Sequence, residues 1–283
     1  MTTSLSMPRL SIIIVTYNST ADIDTCLGSL VQHPPSTDHE IVVVDNGSTD
    51  GTTATIRSRW HGVRVIDAGA NLGFARANNV GIQQTFGSLI LLLNPDTSVP
   101  PGSLDTLVAA LDARPDAAVA GPRLVGADGR VELSFGRTLS PLAELRQKFL
   151  VRHSRRAGPI AAYVESITRK AREVDWVSGA CLLVRRSDAE AVGLMDERFF
   201  MYAEDVDFCA SIRARGRRVL FYPKAEVIHL RGRSRATAAK ATERAYRRSQ
   251  LAFYEKHHPG WVPWLRWYLK VRGRLPDNST SDG

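Results

Sequence analysis

The first 120 residues alternate short apolar runs with segments whose apolar positions recur at helical spacing. Leu10–Tyr17 is apolar and β-branched, as a parallel strand buried on both faces should be. Similar runs predict further strands at Ile41–Val44, Val63–Ile66, Leu89–Leu93 and Ala117–Ala120. Helices are predicted between them, around Ile23–Val31, Thr52–Trp60, Phe74–Phe86 and Leu104–Leu111. This alternation predicts an α/β fold with a mostly parallel sheet and helices on both faces.

The pattern changes after residue 122. Residues 123–140 predict a hairpin that turns at Ala127–Gly129, and the Arg-rich residues 141–172 predict an irregular, mobile or surface excursion. Strand character returns at Val174–Val184, and a helix is predicted from about Glu204 to a C-terminal cap at Gly216. The remaining predicted elements are strands at Val219–Tyr222 and Glu226–Leu230 and a basic helix over residues 236–258.

These patterns predict three parts. Residues 1–235 form one α/β domain, divided into halves 1–122 and 123–235, with the excursion 141–172 in the second half. Residues 236–275 form a basic, Trp-rich helical tail, and residues 276–283 are expected to be disordered.

Composition narrows the class of protein. With 43% hydrophobic and 23% charged residues, the chain suits a globular protein and not a disordered one. No apolar run approaches the roughly 18–20 residues of a membrane-spanning helix, and the N-terminus MTTSLSMPRL lacks the apolar core of a secretory signal. Cys26, Cys181 and Cys209 form no C-x-x-C pair, which predicts buried thiols in a reducing compartment. We therefore expect a cytoplasmic protein.

The net charge of +8 is concentrated in the C-terminal quarter. Residues 208–283 contain 17 Lys and Arg but five Asp and Glu, whereas residues 1–145 contain nine and 14. Such a region suits an anionic partner, namely phospholipid, polyphosphate or nucleic acid. The end of the tail mixes cations with aromatic rings, which is typical of a membrane interface, although packing of the rings on the protein body is equally open. These residues are Trp261, Trp264, Arg266, Trp267, Tyr268, Lys270, Arg272 and Arg274.

Polar segments follow the first four predicted strands. Ligands of such sheets bind beyond the carboxyl ends of the strands, so we expect these segments to converge there. They are Thr16–Asn18, Asp45–Gly51, Asn71–Asn79 and Asn94–Thr97. Asp45 could accept a hydrogen bond from a ring N–H of a nucleotide base, or it could stabilise a turn. Asp96 could hold a divalent cation that bridges phosphates, or it could cap the helix that starts near Pro101.

A second group of acids lies between bulky apolar residues of Phe199–Phe208. Glu204, Asp205 and Asp207 should be partly buried, and burial raises the proton affinity of a carboxylate toward that of a general base. The alternative is helix capping combined with ion pairs to Arg213 or Arg215.

His229 ends a predicted strand and is followed by several arginines. It could be a metal ligand, a phosphate contact or a satisfied core histidine. Arg231, Arg233 and Arg235 would suit a diphosphate, or they could be solvated.

Together these segments resemble the family 2 glycosyltransferases, which have the GT-A fold, and more narrowly the bacterial rhamnosyltransferase branch that builds cell-wall and surface polysaccharides. The resemblance covers roughly residues 10–235. The matching segments are Ser11–Asn18, Val42–Gly51, Asn71–Gly81, Leu91–Thr97, Asp175–Ala180 and Phe199–Phe208, with His229 behind them.

The resemblance implies a role for each matching residue. Residues 1–122 would be the nucleotide-sugar-binding half and 123–235 the acceptor half. The nucleotide would be bound by Thr16, Tyr17, Asn18, Asp45, Arg76 and Asn94. Asp96 matches the last acid of the family's D-x-D metal motif, whose first position here is Asn94, and His229 would be a second ligand of the metal or the diphosphate. Asp205 matches the catalytic base, and the acceptor and diphosphate would be contacted by Glu204, Trp176, Gly179, Ala180, Arg231 and Arg233.

The implied activity is inverting transfer of a sugar, with L-rhamnose from dTDP-rhamnose the favoured donor, onto a lipid-linked or polysaccharide acceptor. Mg²⁺ or Mn²⁺ would be the cofactor, and the protein would lie peripherally at the inner face of the cell membrane. The alternative is a non-catalytic binder of anionic membrane or nucleic acid. We expect no nucleic-acid partner, because the acidic strand-end loops would repel one. The first strand–helix turn lacks the G-x-G-x-x-G motif, which argues against a Rossmann oxidoreductase. The nucleotide-type loops make a glycosidase less favoured, although glycosidases also use two carboxylates.

Overall fold

A computed structural model describes residues 7–138, 140–154, 158–230 and 239–276. The strands are β1 (Leu10–Thr16), β2 (His39–Asp45), β3 (Arg64–Asp67), β4 (Leu89–Leu93), β5 (Thr97–Ser98), β6 (Ala117–Gly126), β7 (Val131–Glu132), β8 (Phe135–Gly136), β9 (Arg172–Val174), β10 (Trp176–Val177), β11 (Cys181–Arg185) and β12 (Arg218–His229). The helices are α1 (Ile23–Gln32), α2 (Thr52–Arg59), α3 (Phe74–Gln83), α4 (Ser103–Asp112), α5 (Pro141–His153), α6 (Pro159–Ile167), α7 (Arg186–Ala191), α8 (Glu204–Ala214), α9 (Ala239–His257) and α10 (Val262–Val271).

The main sheet has the strand order β3-β2-β1-β4-β11-β6-β12-β5. Strands β3, β2, β1 and β4 are parallel, β11 is antiparallel to both β4 and β6, and β12 is parallel to β6. The predicted α/β fold with a mostly parallel sheet is therefore confirmed. The carboxyl ends of β1, β2, β4 and β12 lie at one edge of the sheet, together with the start of the antiparallel strand β11.

Both faces of the sheet are buried. Ile12 and Ile14 of β1 pack on one side with α1, α2 and α4, and Ile13 packs on the other side with α3 and α8. Because successive side chains of a strand point to opposite faces, a strand covered on both sides must be apolar at every position. Each fully buried Ile or Leu stabilises the fold by about 1.5–3 kcal/mol, and all three Ile residues of β1 have no exposed surface.

The division of the chain into strands differs from the prediction in two places. The segment predicted as a single strand at 174–184 is three strands, β9, β10 and β11, because the chain turns at Ser178, whose N–H donates to Ser134 and whose carbonyl accepts from Cys181. Conversely, the two strands predicted at 219–222 and 226–230 are one strand, β12, with a register shift between Tyr222 and Glu226. Pro223 lies in that shift, where a residue without an N–H is tolerated.

The prediction that residues 141–172 are irregular was wrong, because they contain α5 and α6. Ser140 caps α5 by accepting a hydrogen bond from the N–H of Ala143, and Pro141 occupies the first turn. Pro159 begins α6 in the same way. The outer side of α5 is exposed, so the prediction of a surface segment was correct.

The predicted turn at Ala127–Gly129 is confirmed, but the second strand of that hairpin, β7, is only two residues long. Strand β5 was not predicted; it pairs antiparallel with the end of β12, so that Thr97 lies opposite His229. This short pairing brings Asp96 next to His229.

Other expectations concern the cysteines and the tail. All three cysteines are buried free thiols, and burial raises the pKa of Cys26 and Cys209 to about 12.

The predicted cap of α8 is present, since Gly216 has a φ of 80°. The tail is helical in its described part, whereas residues 277–283 of the segment predicted to be disordered lie outside the described residues. Within the described ranges, no helix combines the length and apolarity needed to cross a bilayer.

Candidate active site

Asp45 is held at the carboxyl end of β2 by two hydrogen bonds. The Thr16 hydroxyl donates to Oδ1 at 3.2 Å, and the Ser48 N–H donates to Oδ2 at 3.1 Å. Asp45 and Thr16 are both buried, and they are neighbours in the β1–β2 register. The carboxylate therefore stabilises the turn, as one interpretation of the sequence required. Each oxygen keeps a second lone pair for a ligand.

The loops after β1 and β2 are joined through Asn18. Its N–H donates to Ser48 Oγ at 2.9 Å, and its side-chain oxygen accepts the Thr49 N–H at 2.8 Å. Asn18 adopts a left-handed conformation with φ 51°, which asparagine tolerates better than most residues. The neighbouring Tyr17 ring is exposed beside these loops and is free to stack on a ligand.

The loop before α3 contacts the segment that precedes the acids of α8. Gly73 has a φ of 81°, and a Cβ atom at this position would lie 2.5 Å from the Phe200 carbonyl oxygen. That oxygen accepts the N–H of Phe74 at 2.7 Å. Asn46 fixes the other side of the loop by donating to Asn71 Oδ1 at 2.9 Å. The predicted nucleotide-binding loops are thus in direct contact with the predicted catalytic segment.

Arg76 lies in the first turn of α3 and is exposed. Its Nε is 3.6 Å from Glu197, and no described contact joins it to Asp45 or Asp96. Its contact with a ribose or phosphate stays a prediction.

His229 lies between two carboxylates. Its Nε2 is 3.2 Å from Asp96 Oδ1, and its Nδ1 is 3.1 Å from Glu132 Oε2. Burial lowers the pKa of His229, but the hydrogen bonds to Asp96 and Glu132 outweigh burial and raise the pKa to about 9. The sequence did not indicate Glu132. The hairpin turn fixes β7 against the end of β6, but nothing in the sequence shows that β12 lies on the other side of β6.

The donor atoms of Asp96 and His229 fit a divalent cation that displaces the proton of the His229 ring, since a metal-binding imidazole must be neutral. Within the described part of the chain, no three His, Cys, Asp or Glu side chains are grouped to hold a metal by themselves. The carboxylate oxygen of Asp96 suits Mg²⁺ or Mn²⁺ when a bound ligand supplies further oxygens, and the imidazole nitrogen of His229 favours Mn²⁺ over the harder Mg²⁺. Glu132 contacts the other ring nitrogen, which is how carboxylates orient metal-binding histidines. The pair therefore fits a cation shared with a bound phosphate group.

The three acids of α8 have different surroundings. Asp207 is neutralised by α9, because Lys256 Nζ is 2.9 Å and His257 Nε2 is 2.6 Å from its carboxylate. The alternative interpretation paired these acids with Arg213 or Arg215, and it does not hold for Arg213, which pairs with Asp175 at 2.9 Å. No cation in the described ranges pairs with Glu204 or Asp205.

Asp205 accepts two backbone hydrogen bonds, from Gly179 to Oδ2 at 3.0 Å and from Val206 to Oδ1 at 2.8 Å. Burial nevertheless raises the pKa of Asp205. Glu204 is more deeply buried, and no described group donates a hydrogen bond to its Oε2. Burial and the charge of Asp205 raise the pKa of Glu204 well above its ordinary value. This pair of acids has the raised proton affinity that general-base chemistry requires.

The turn that presents these acids is strained. Tyr202 and Ala203 have φ values of 71° and 64°, which cost of order 1–3 kcal/mol each in residues other than glycine. Neighbouring elements hold the turn, since Ser249 of α9 donates to the Met201 carbonyl at 2.7 Å. Strain of this kind concentrates at functional sites.

Hydrogen bonds connect the segment that contains Asp96 to the segment that contains Asp205. The N–H of Asn94 donates to the Ala180 carbonyl at 3.0 Å, and the adjacent Gly179 donates to Asp205. Trp176 donates its indole N–H to the Arg137 carbonyl at 2.8 Å and packs against the cluster that contains Val206. The predicted residues at this edge are Thr16, Tyr17, Asn18, Asp45, Asn94, Asp96, Trp176, Gly179, Ala180, Glu204, Asp205 and His229. Arg231 and Arg233 lie outside the described residues.

Comparisons with known proteins identify the family of the chain. The glycosyl transferase family 2 model matches residues 11–155, and a glycosyl transferase family group 2 model matches residues 89–272. The N-acetylglucosaminyl-diphospho-decaprenol L-rhamnosyltransferase of Mycobacterium tuberculosis is 34% identical over 92% of this chain and 89% of its own length.

Solved structures share the fold. The mannosyltransferase PcManGT from Pyrobaculum calidifontis, in complex with GDP-Man and Mn²⁺, has a TM-score of 0.62 at 19% identity over 92% of this chain and 69% of that chain. GalNAc-T7 with UDP, GalNAc and Mn²⁺ has a TM-score of 0.62 at 16% identity over 96% of this chain and 59% of that chain. The fold and site thus define a nucleotide-sugar-dependent glycosyltransferase of the GT-A type. The chain belongs to glycosyl transferase family 2.

Proposed function

We propose that the protein transfers L-rhamnose from dTDP-L-rhamnose to a hydroxyl of a polyprenyl-diphosphate-linked saccharide, with inversion at the anomeric carbon. It would act at the inner face of the cell membrane in cell-wall or surface-glycan synthesis. Support for the sugar and acceptor comes from the mycobacterial rhamnosyltransferase, whose similarity extends over most of both chains. Support for the reaction comes mainly from one observation: Asp205 is un-neutralised and lies at the edge where Asp96 meets His229.

Asp205 is the proposed general base. It would take the proton of the acceptor hydroxyl as the hydroxyl oxygen forms its bond to the anomeric carbon. The bond from that carbon to the diphosphate breaks on the opposite side, and its electron pair leaves with the diphosphate. Such a displacement inverts the anomeric centre and needs no covalent enzyme intermediate. The raised pKa of Asp205 favours proton uptake, and its two backbone hydrogen bonds fix its orientation.

The other residues at the edge would bind and orient the two substrates. Asp45, with Thr16, Tyr17, Asn18 and Asn94, would bind the nucleotide, and Arg76 would contact the ribose or phosphates. Asp96 and His229 would hold Mg²⁺ or Mn²⁺, which supplies Lewis-acid neutralisation of the diphosphate when bound. Glu204 would contact the acceptor, whose pocket Trp176, Gly179 and Ala180 would border. Arg231 and Arg233 would assist at the diphosphate.

The reaction can be tested with purified protein, dTDP-L-rhamnose and a polyprenyl-diphosphate-linked N-acetylglucosamine. We expect release of dTDP together with a rhamnosylated product of inverted configuration by NMR. Asp205→Asn should lower kcat by roughly 10²–10⁴-fold and leave donor binding by calorimetry unchanged. Asp38→Asn is the matched control, because Asp38 is exposed just before β2, at the opposite edge of the sheet. Normal turnover by Asp205→Asn would remove Asp205 from this role.

The donor is tested separately by thermal shift with a panel of nucleotide sugars, each with and without Mn²⁺. A ligand that binds only the folded state raises the Tm by mass action. We expect dTDP-L-rhamnose to raise the Tm more than UDP- or GDP-sugars do, and Asp45→Ala to abolish the shift. A shift only with a UDP- or GDP-sugar would overturn the donor assignment and leave the glycosyl-transfer reaction standing.

A further inference from the structure

Helix α10 exposes an aromatic face. Its inward side chains Val262, Leu265 and Leu269 pack on the protein, and Leu269 is completely buried. The opposite side exposes Trp264, Trp267, Tyr268 and Val271, and Trp261 just before the helix and Leu275 after it are exposed as well. Trp264 is 67% exposed. The sequence left open whether these rings pack on the protein body, and the structure leaves each of the three tryptophans more than half exposed.

Helix α5 exposes a second apolar face. Leu142, Leu145 and Phe149 recur at helical spacing on its outer side, and Leu142 is 80% exposed. The inward side of α5 carries the buried Glu144 among the half-buried Ala143, Leu150 and Val151. An amphipathic helix ordinarily places its apolar side toward the core. The apolar side chains on the outer side of α5 lack such cover, and an exposed apolar patch of this kind marks an interaction site.

Both helices pack on α9. Glu144 of α5 accepts hydrogen bonds from Tyr246 at 2.6 Å and Gln250 at 2.7 Å. From α10, Arg266 pairs with Glu255 of α9 at 2.8 Å. Both helices therefore rest on the same neighbouring helix, and Lys148 of α5 also lies over the Tyr246 ring of α9, 5.3 Å from its centroid. We call the exposed apolar residues of both helices the α5/α10 surface: Leu142, Leu145, Phe149, Trp261, Trp264, Trp267, Tyr268, Val271 and Leu275.

The charges beside this surface are positive. Helix α10 contains no acid, and the only acid of α5 is the buried Glu144. Within the ranges that the structure describes, Arg152, Lys270 and Arg272 have no carboxylate partner. A second copy of the same surface would bring cations against cations. An anionic surface would neutralise them.

We infer that the α5/α10 surface docks the protein onto an anionic lipid bilayer. Tryptophan and tyrosine side chains favour the headgroup region, where the rings are partly dehydrated and the polar N–H or O–H stays hydrated. Leu142, Leu145 and Phe149 add apolar area that enters the acyl boundary, and nearby Lys and Arg residues attract anionic headgroups. Two helices bind more tightly than one, because the second inserts without a new loss of translational freedom. The inference rests on the proposed function only for the lipid-linked acceptor, which such docking would bring within reach.

The test is sedimentation of the full chain with vesicles of phosphatidylglycerol and phosphatidylcholine, compared with vesicles of phosphatidylcholine alone. We expect binding to the anionic vesicles, weakened by added salt. The double variants W264S/W267S on α10 and L142S/F149S on α5 should each lower the partition coefficient by roughly tenfold or more. Phe86→Ser is the matched control, because Phe86 is an exposed aromatic residue in the loop that precedes β4, and it should bind like the parent. Circular dichroism and Tm establish that each variant is folded.

Parental binding by both double variants, or no binding by the parent, would overturn the inference. A dimer in analytical ultracentrifugation that W264S/W267S dissociates would also overturn it and would assign the surface to a second copy. Activity separates this inference from the proposed function. The docking variants should transfer sugar normally to a short-chain, water-soluble acceptor and poorly to an acceptor embedded in vesicles. If the protein binds vesicles but transfers no sugar to either acceptor, the proposed function fails and the docking surface stands.

Discussion

Replacing Gly73 with alanine tests whether the loop before α3 positions the turn at Tyr202 and Ala203, which presents Glu204 and Asp205. The added Cβ would lie 2.5 Å from the Phe200 carbonyl oxygen and 2.7 Å from the Phe200 ring. Both distances are far below van der Waals contact, so either the loop or the turn must move. The Phe200 carbonyl accepts the Phe74 N–H at 2.7 Å, and movement breaks this hydrogen bond.

The cost can be worked from these contacts. Gly73 has φ 81° and ψ 170°, a conformation that costs a residue with a Cβ about 1–3 kcal/mol. Loss of the hydrogen bond adds about 1 kcal/mol, so we expect a loss of unfolding free energy of about 3 kcal/mol. Gly69→Ala is the matched control. Its φ is 75°, but nothing lies within 4 Å of the added Cβ, so it carries only the left-handed penalty of about 1–2 kcal/mol.

Urea unfolding measures the free energies, and initial rates measure kcat with saturating donor and acceptor. A displacement of about 1 Å at a catalytic group can lower the rate by about 10²-fold. We therefore expect Gly73→Ala to lose about that factor in kcat and Gly69→Ala to stay near the parental value. Equal stabilities and equal kcat values for the two variants would refute the coupling between the loop and the turn.

Three further predictions concern neighbouring groups. Glu132→Gln should weaken Mn²⁺ binding, measured by calorimetry, by about 10–100-fold because the ring of His229 loses its orienting carboxylate; unchanged affinity would contradict this role. Below the ordinary pKa of 4.5, the raised pKa of Glu204 does not change the free energy of unfolding, because the side chain is protonated in both the folded and the unfolded state. Above pH 4.5 the unfolded state loses this proton first, so the free energy of unfolding falls until the pH passes the raised pKa. Glu204→Gln should therefore gain up to about 1.4 kcal/mol over the parent per pH unit in that window, and a difference independent of pH in urea titrations would refute the assignment. Ser249→Ala removes the hydrogen bond to Met201 and should lower kcat severalfold with KM unchanged, whereas Ser249→Thr, which keeps the hydroxyl, should restore the rate; a change confined to KM would argue against positioning.

The sequence was sufficient to predict the parallel strands β1 to β4. Continuous apolar runs such as β1 and β4 identify buried parallel strands, and parallel strands must end at a common edge. The positions of Asp45, Asn94 and Asp96 at that edge therefore followed from the strand pattern alone. The bulky apolar neighbours drew attention to Glu204, Asp205 and Asp207 together, and only the resemblance to family 2 glycosyltransferases selected Asp205 among them.

The rest depends on contacts between distant segments. The hydrophobic pattern of the sequence does not indicate that the antiparallel strand β11 lies between β4 and β6. Glu132 approaches His229 across 97 residues, and α9 reaches Asp207 through Lys256, 49 residues away. Helix α5 is a different case, since Ser140 followed by proline is a helix-start signal, which the many basic residues of the whole segment 141–172 obscured.

The strained turn at Tyr202 and Ala203 has a consequence for how the protein fails on heating. Its left-handed residues are held from outside, by α3 through Phe200 and by α9 through Met201. Loss of either contact lets the turn relax without exposing the sheet, because the strands keep the backbone hydrogen bonds that join them. Enzymatic activity should therefore be lost at a lower temperature than the Tm of the core. Residual activity would then detect thermal damage before the core unfolds.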